Sequence, residues 1–158
     1  MSLKSKLKAR KPEQMDLIFC LDRPLLKELE SAQVEHARDT EGRVSVPKSK
    51  RVKDLEAAVK DASVTIRISS LPWEEYNELM LAHPPRDGYD EQFNSSTFFE
   101  AAAKATAVEV TPKSTVPIPE EDWDEFVAGL TDGEYDRLAG AIVAVNRNTA
   151  TVNIAPLG

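Results

Sequence analysis

LPWEEYNELMLAHPPRDGYDEQFNSSTFF, residues 71–99, is the stretch whose reading decides the fold. Pro72 suits the first helical position, where its missing N–H would have had no partner. The spacing of Trp73, Tyr76, Leu79, Met80 and His83 predicts one helical face behind it. Pro84 and Pro85 stop that helix, since each lacks a donor and pushes its predecessor out of the α region. The chain must then leave as an extended, polar loop through Asp87, Gly88 and Asp90. A second helix starts near Asn94, whose short side chain can accept from a free backbone N–H, with Thr97 and Glu100 at capping-box spacing. It runs on through Phe98, Phe99 and a series of alanines to Ala107. The reading is two helices joined by a stiffly entered loop, with no catalytic arrangement in it.

Working back from this stretch, residues 63–70 alternate with period two: Val64, Ile66 and Ile68 face one way, and Thr65, Arg67 and Ser69 the other. That pattern predicts a half-exposed strand. Residues 15–21 combine apolar density with β-favouring side chains and then meet Asp22 and Pro24, a strand followed by a capped helix start. The helix from there carries Leu25, Leu26, Leu29, Ala32 and Val34 and ends in the turn-prone 39–42. A second, from about Lys48 to Ala62, places Val52, Leu55, Val59 and Ala62 on a narrow stripe. Two such charged helices suit an antiparallel hairpin in which each covers the other's stripe. The expected fold class is therefore α+β and mainly α: a short two-stranded antiparallel sheet, bridged by a projecting helical hairpin and packed on a C-terminal helical body. A two-stranded sheet alone is marginal in water, so its apolar face needs the later helices.

Residues 108–119 read as a connector whose prolines exclude helix and argue against a central strand. Glu120, Glu121 and Asp122 open the next helix, where negative charge complements the dipole, and Trp123, Phe126, Val127 and Leu130 form its apolar face. Thr131-Asp132-Gly133-Glu134 is a capping box for a last helix striped by Tyr135, Leu138, Ile142 and Val145. The organisation is a flexible basic arm (1–12), a strand–hairpin–strand segment (13–70), a helical body (71–148) and a loose tail (149–158).

Composition narrows the function classes. The chain has 158 residues, 41% hydrophobic and 30% charged, which suits a soluble domain. No apolar run approaches the roughly 18 residues of a membrane span. The lysine-bearing N-terminus has no apolar core of a secretory signal, and the single cysteine, Cys20, reads as a small buried hydrophobe; both point to the cytoplasm. The net charge of −7 conceals an asymmetry: residues 1–70 hold 15 basic and 11 acidic side chains, residues 71–158 hold 5 and 16. Opposite fields favour head-to-tail self-association or docking on a charged partner, with solubility alone as the plain alternative.

No catalytic constellation emerges. His36 and His83 lie far apart without metal-ligand spacing, glycine is too scarce for a phosphate-cradling loop, and the serines lack a nucleophile-elbow context. Neither an enzyme, a metal site nor a cofactor is expected. The basic arm has no aromatic residue for base stacking and the rest of the chain is acidic, which argues against nucleic acid as a partner. What remains is aromatic. Every large ring except Phe19 lies in the second half, and Tyr89 and Phe93, set in the loop after Pro85, either pin that loop or form a recognition surface.

Taken together, the period-two strand, Leu71-Pro72-Trp73, His83-Pro84-Pro85-Arg86-Asp87-Gly88, Phe93-Asn94, Thr97-Phe98, the helix at Trp123 and the closing Val145-Asn146-Arg147 resemble the tail assembly chaperones of long-tailed, siphovirus-type phages of Gram-positive hosts. The resemblance covers nearly the whole chain; the connector 111–119 is longer and richer in proline than the family's pattern. It implies a protein of the host cell cytoplasm that binds the tape measure protein, a long and mainly helical chain, keeps it soluble until tube subunits polymerise around it, and is absent from the mature virion. It also implies a longer partner form of the same protein made by ribosomal frameshifting, with the tail tube protein as a further contact, and an end such as Ala155-Pro156-Leu157-Gly158 suits the short form. On this reading Trp73, Tyr76, Tyr89 and Phe93 contact the partner, and the hairpin, through Leu29, Val52, Leu55 and Val59, serves self-association into a homo-oligomer. The competing readings are a tail-completion or connector protein retained in the particle and a small DNA-binding regulatory module.

Overall fold

A computed structural model describes residues 1–147; the expected tail, 149–158, lies outside the described residues. Two strands, β1 (Gln14–Cys20) and β2 (Ser63–Ser69), occupy the two stretches whose patterns predict them. They run antiparallel: Ser70 N–H donates to Glu13 O at one end (2.8 Å) and Leu21 N–H to Ala62 O at the other (2.9 Å). The alternation is obeyed, with Leu17, Phe19, Ile66 and Ile68 buried. On the opposite face the Arg67 guanidinium grips both oxygens of Asp16 at 2.7 and 3.0 Å, holding that carboxyl below the usual carboxylate range.

The sheet has four strands, not two. After α5 (Ser95–Thr106), the proline-rich connector folds into β3 (Val108–Val110) and β4 (Thr115–Pro117), and the order β1-β2-β3-β4 is antiparallel. Val108 pairs with Pro117 and Val110 with Thr115. The expectation of a two-stranded sheet fails for a physical reason. Pro112 falls in the turn, which Thr111 closes by donating N–H to Ser114 O (2.8 Å), and Pro117 lies on the edge strand, where a missing donor costs no ladder bond. Three-residue strands with prolines have little propensity of their own; the open edge of β2 gives them a template.

The chain divides into two compact units, residues 18–66 and the remainder, with the division falling inside β1 and β2. The smaller unit is built on α2 (Arg23–Asp39) and α3 (Lys50–Asp61). Asp22 caps α2 by accepting from Leu25 N–H, and Ser49 caps α3 by accepting from Val52 N–H. The two helices pack together through Leu29, Ala32 and Val52, with Leu55 and Val59 partly buried against them. The ion pairs Glu35–Arg51 (3.0 Å) and Lys48–Glu56 (2.8 Å) are exposed, so each contributes at most about 1 kcal/mol and the apolar seam holds the pair. Cys20 is half-buried, its thiol directed to Asp22 O.

In the larger unit, α4 (Trp73–Ala82) packs on α5, and α5 packs on α7 (Asp132–Arg147), with α6 (Glu120–Ala128) leading into α7. Its core is Tyr76, Phe98, Ala102, Ala103, Trp123, Leu138, Ala141, Ile142 and Val145. The alanines of α5 allow close helix approach, leaving Phe98 to fill the space between. The capping box forms as its spacing predicts: Glu134 N–H donates to Thr131 Oγ1 (3.2 Å), and Thr131 N–H donates to Glu134 Oε1 (3.0 Å). Asn146 Oδ1 accepts from Leu71 N–H (2.8 Å), tying the end of α7 to the entry of α4. The arm at 1–12 is not featureless: Leu3–Lys8 forms a short helix, α1, capped by Ser2 and with no buried residue.

Candidate partner-binding surface

The helix, loop and helix spanning 73–106 present the molecule's most exposed large rings. Pro72 is the N-cap of α4, one position before the first helical site expected of it, and Trp73 begins the helix at 72% exposure. Tyr76, one turn on, turns inward and meets Phe98 edge-to-face, ring centroids 5.5 Å apart. Leu81 lies eight residues after Trp73, about 12 Å along the axis and about 80° around it, and is 82% exposed.

The loop after His83 is clasped rather than slack. Arg86 donates from Nε and Nη2 to the two carboxylate oxygens of Glu91 (2.9 and 3.0 Å), and its backbone N–H donates to the same carboxylate (3.0 Å). Ser95 Oγ donates to Glu91 as well (3.2 Å), joining the clasp to the first residue of α5. Asn94 N–H donates to His83 O (2.8 Å), and His83 Nδ1 bonds Thr97 Oγ1 (2.8 Å). Asn94 caps α5 by accepting from Ser96 N–H, so Thr97 spends its hydroxyl on His83 instead of forming the capping box its spacing to Glu100 suggests. Within the clasp, Tyr89 N–H donates to Arg86 O across a turn in which Gly88 takes φ +82°, a left-handed conformation that any side chain would strain. The turn brings Tyr89 out at 59% exposure, with the Arg86 guanidinium 3.8 Å from its ring centroid.

The four side chains expected to contact a partner therefore separate. Trp73 and Tyr89 are on the surface. Tyr76 belongs to the core, and Phe93 is half-buried against Phe98 (4.1 Å) and Phe99 (5.4 Å), pinning the loop to α5. Leu81 is the residue that sequence reasoning missed; its signal was an apolar side chain lying off the buried stripe of α4. Of the residues expected to serve self-association, Leu29 and Val52 are buried against one another inside the hairpin, and Leu55 and Val59 are partly covered there. In one chain, much of that apolar surface is already used.

The clasp has a pH signature. Hydrogen bonds from the Arg86 side chain, then from its backbone, hold the Glu91 carboxyl at about 2 instead of its ordinary 4.5. A carboxyl depressed by folding contributes stability that is complete above its unfolded value and is lost as pH falls from 4.5 toward 2. Site-resolved NMR of the Glu91 carboxyl is expected to titrate near 2, and Arg86→Ala to return it toward 4.5. A wild-type midpoint at the ordinary value would mean that the clasp does not exist in solution.

A cleft of about 190 Å³ beside Trp123 is lined by Lys104, Ala107, Ile118 and Glu120. Its two charged groups neutralise each other in an ion pair of 2.7 Å, and Trp123 Nε1 has no hydrogen-bond partner among the described residues. Among the described residues there is no group of three or more His, Cys, Asp or Glu able to hold a metal, and no helix long and apolar enough to cross a membrane. What the surface can do is present apolar rings from an acidic, internally braced scaffold. Comparison with protein-family models, curated proteins and solved structures matches this chain to none of them.

Proposed function

We propose that this chain is a tail assembly chaperone that binds the tape measure protein and keeps it soluble while a phage tail is built. The observation that carries the reading is the exposure of Trp73, Leu81 and Tyr89 on α4 and its clasped loop, set among Glu74, Glu75, Glu78, Asp87 and Asp90. Long helical clients carry apolar stripes that aggregate when bare. Exposed rings can cover such stripes while surrounding carboxylates keep the complex dispersed. Bracing the loop through Arg86–Glu91 lowers the ordering cost of docking Tyr89. Many weak contacts along one tether retain the client through effective concentration, yet each yields singly to an arriving tube subunit. No bond is made or broken.

Co-expression with a tape measure protein from the same phage genome is the test. The soluble fraction of that client is expected to fall to its chaperone-free level when Trp73 and Tyr89 are both changed to alanine, each ring being worth on the order of 2 kcal/mol if it is an anchor. The fold should survive, because both side chains are exposed. A client equally soluble without this chain defeats the role, and full retention by the double variant defeats the site. Mass spectrometry of purified particles separates this reading from a retained tail component, which would be present in stoichiometric amount.

A further inference from the structure

The first twelve residues and the α4 surface are opposites in charge and alike in leaving apolar side chains bare. Residues 1–12 hold Lys4, Lys6, Lys8, Arg10 and Lys11 with no acidic residue. Residues 73–91 hold Glu74, Glu75, Glu78, Asp87, Asp90 and Glu91 against a single base, Arg86, which Glu91 already occupies. On α1, Leu3 and Leu7 are one turn apart on the same side and are 72% and 53% exposed. A six-residue helix is far below the roughly 12–15 residues at which an isolated helix becomes even marginal in water, and among the described residues none of its side chains is buried.

We propose that α1 of one copy docks on the α4 surface of a second copy, Leu3 and Leu7 covering Trp73 and Leu81 while the arm's lysines face the carboxylates of α4 and the Asp87–Asp90 loop. Among the described residues Leu3, Leu7, Trp73 and Leu81 all stay exposed, and a second copy supplies each surface with its complement. Arm and receptor are different patches, so the contact is heterologous and passes from copy to copy in head-to-tail fashion. One arm buries far less than the roughly 1,200 Å² of a stable interface, which makes the association weak, dependent on concentration and sensitive to salt. The contact shares with the proposed function the reading of Trp73 and Leu81 as a docking face, and a client helix then competes with the arm for it. Without client the chaperone caps its own apolar surface.

Sedimentation velocity and light scattering of the full chain test this. In low salt the average mass is expected to rise with concentration above the 17.5 kDa monomer, and in high salt to return to it. Leu3→Asp with Leu7→Asp, or Trp73→Ala with Leu81→Ser, should each weaken association at least tenfold with unchanged circular dichroism, all four side chains being exposed. Charge reversal gives the decisive arm. A copy with Lys4→Glu, Lys6→Glu and Lys8→Glu, and a copy with Glu78→Lys, Asp87→Lys and Asp90→Lys, should each be monomeric alone and associate when mixed. A wild-type chain monomeric at every concentration in low salt, arm variants that associate like wild type, or a mixture that stays monomeric overturns the proposal; so does an arm that binds a DNA duplex without self-association. Client co-expression with the wild-type chain keeps the two readings apart. Client retention by a chain that does not self-associate removes this inference and leaves the chaperone role standing; self-association without retention does the reverse.

Discussion

Phe98→Ala is expected to lower the unfolding free energy by about 3–5 kcal/mol, the usual cost of emptying a fully buried phenylalanine site. Phe98 has no exposed surface and is the ring on which the others converge: Tyr76 at 5.5 Å, Phe93 at 4.1 Å, Phe99 at 5.4 Å and His83 at 6.3 Å. These contacts join α4, the clasped loop and α5, so the cavity opens where three segments meet and cannot close by moving one of them. Urea unfolding of the two chains measures the difference. The same experiment on Trp73→Ala should give a change within about 0.5 kcal/mol, since that ring is mostly in water. A loss at Phe98 below about 1.5 kcal/mol would mean that the aromatic cluster does not hold the helices together.

Val52→Asp is expected to open the α2–α3 hairpin. Val52 is buried against Leu29 and Ala32, and a carboxylate there leaves water without a built partner, a defect that costs about 3–5 kcal/mol when a charge is left uncompensated. The seam has little in reserve, since Leu55 and Val59 are only partly buried and the ion pair that spans the hairpin, Glu35–Arg51, is exposed. Amide hydrogen exchange should lose protection throughout residues 23–39 and 50–61; protection equal to wild type would show that the seam is not what pairs these helices. The result also fixes how the hairpin can be probed for self-association. A loss of oligomer in Val52→Asp reports an opened hairpin, whereas Leu55 and Val59, with surface still exposed, can report a contact between copies.

Local chemistry made much of the fold legible. Asp22 and the Thr131–Glu134 box mark helix starts because a side-chain oxygen near free N–H groups is a local event, and Pro84-Pro85 marks a stop because a missing donor acts on its own turn. The alternation in 63–69 survives intact because one face of β2 is buried. The β3–β4 hairpin was not legible, since its strands exist through the edge they extend, not through their own residues. For the candidate surface, periodicity placed Trp73 and Tyr76 on one stripe but could not say how far the cover of α5 reaches.

The sequence by itself determined the placing of β1, β2 and the helices from α2 onward, the pairing stripes of α2 and α3, and the opposed charges of the two halves, all of which follow from neighbours a few residues apart. Tertiary structure alone decided that the sheet has four strands, that Tyr76 and Phe93 serve the interior while Trp73, Leu81 and Tyr89 face water, and that Arg86 reaches Glu91 to brace the loop. Burial is set by which surfaces distant segments bring against each other, and no local pattern carries that information.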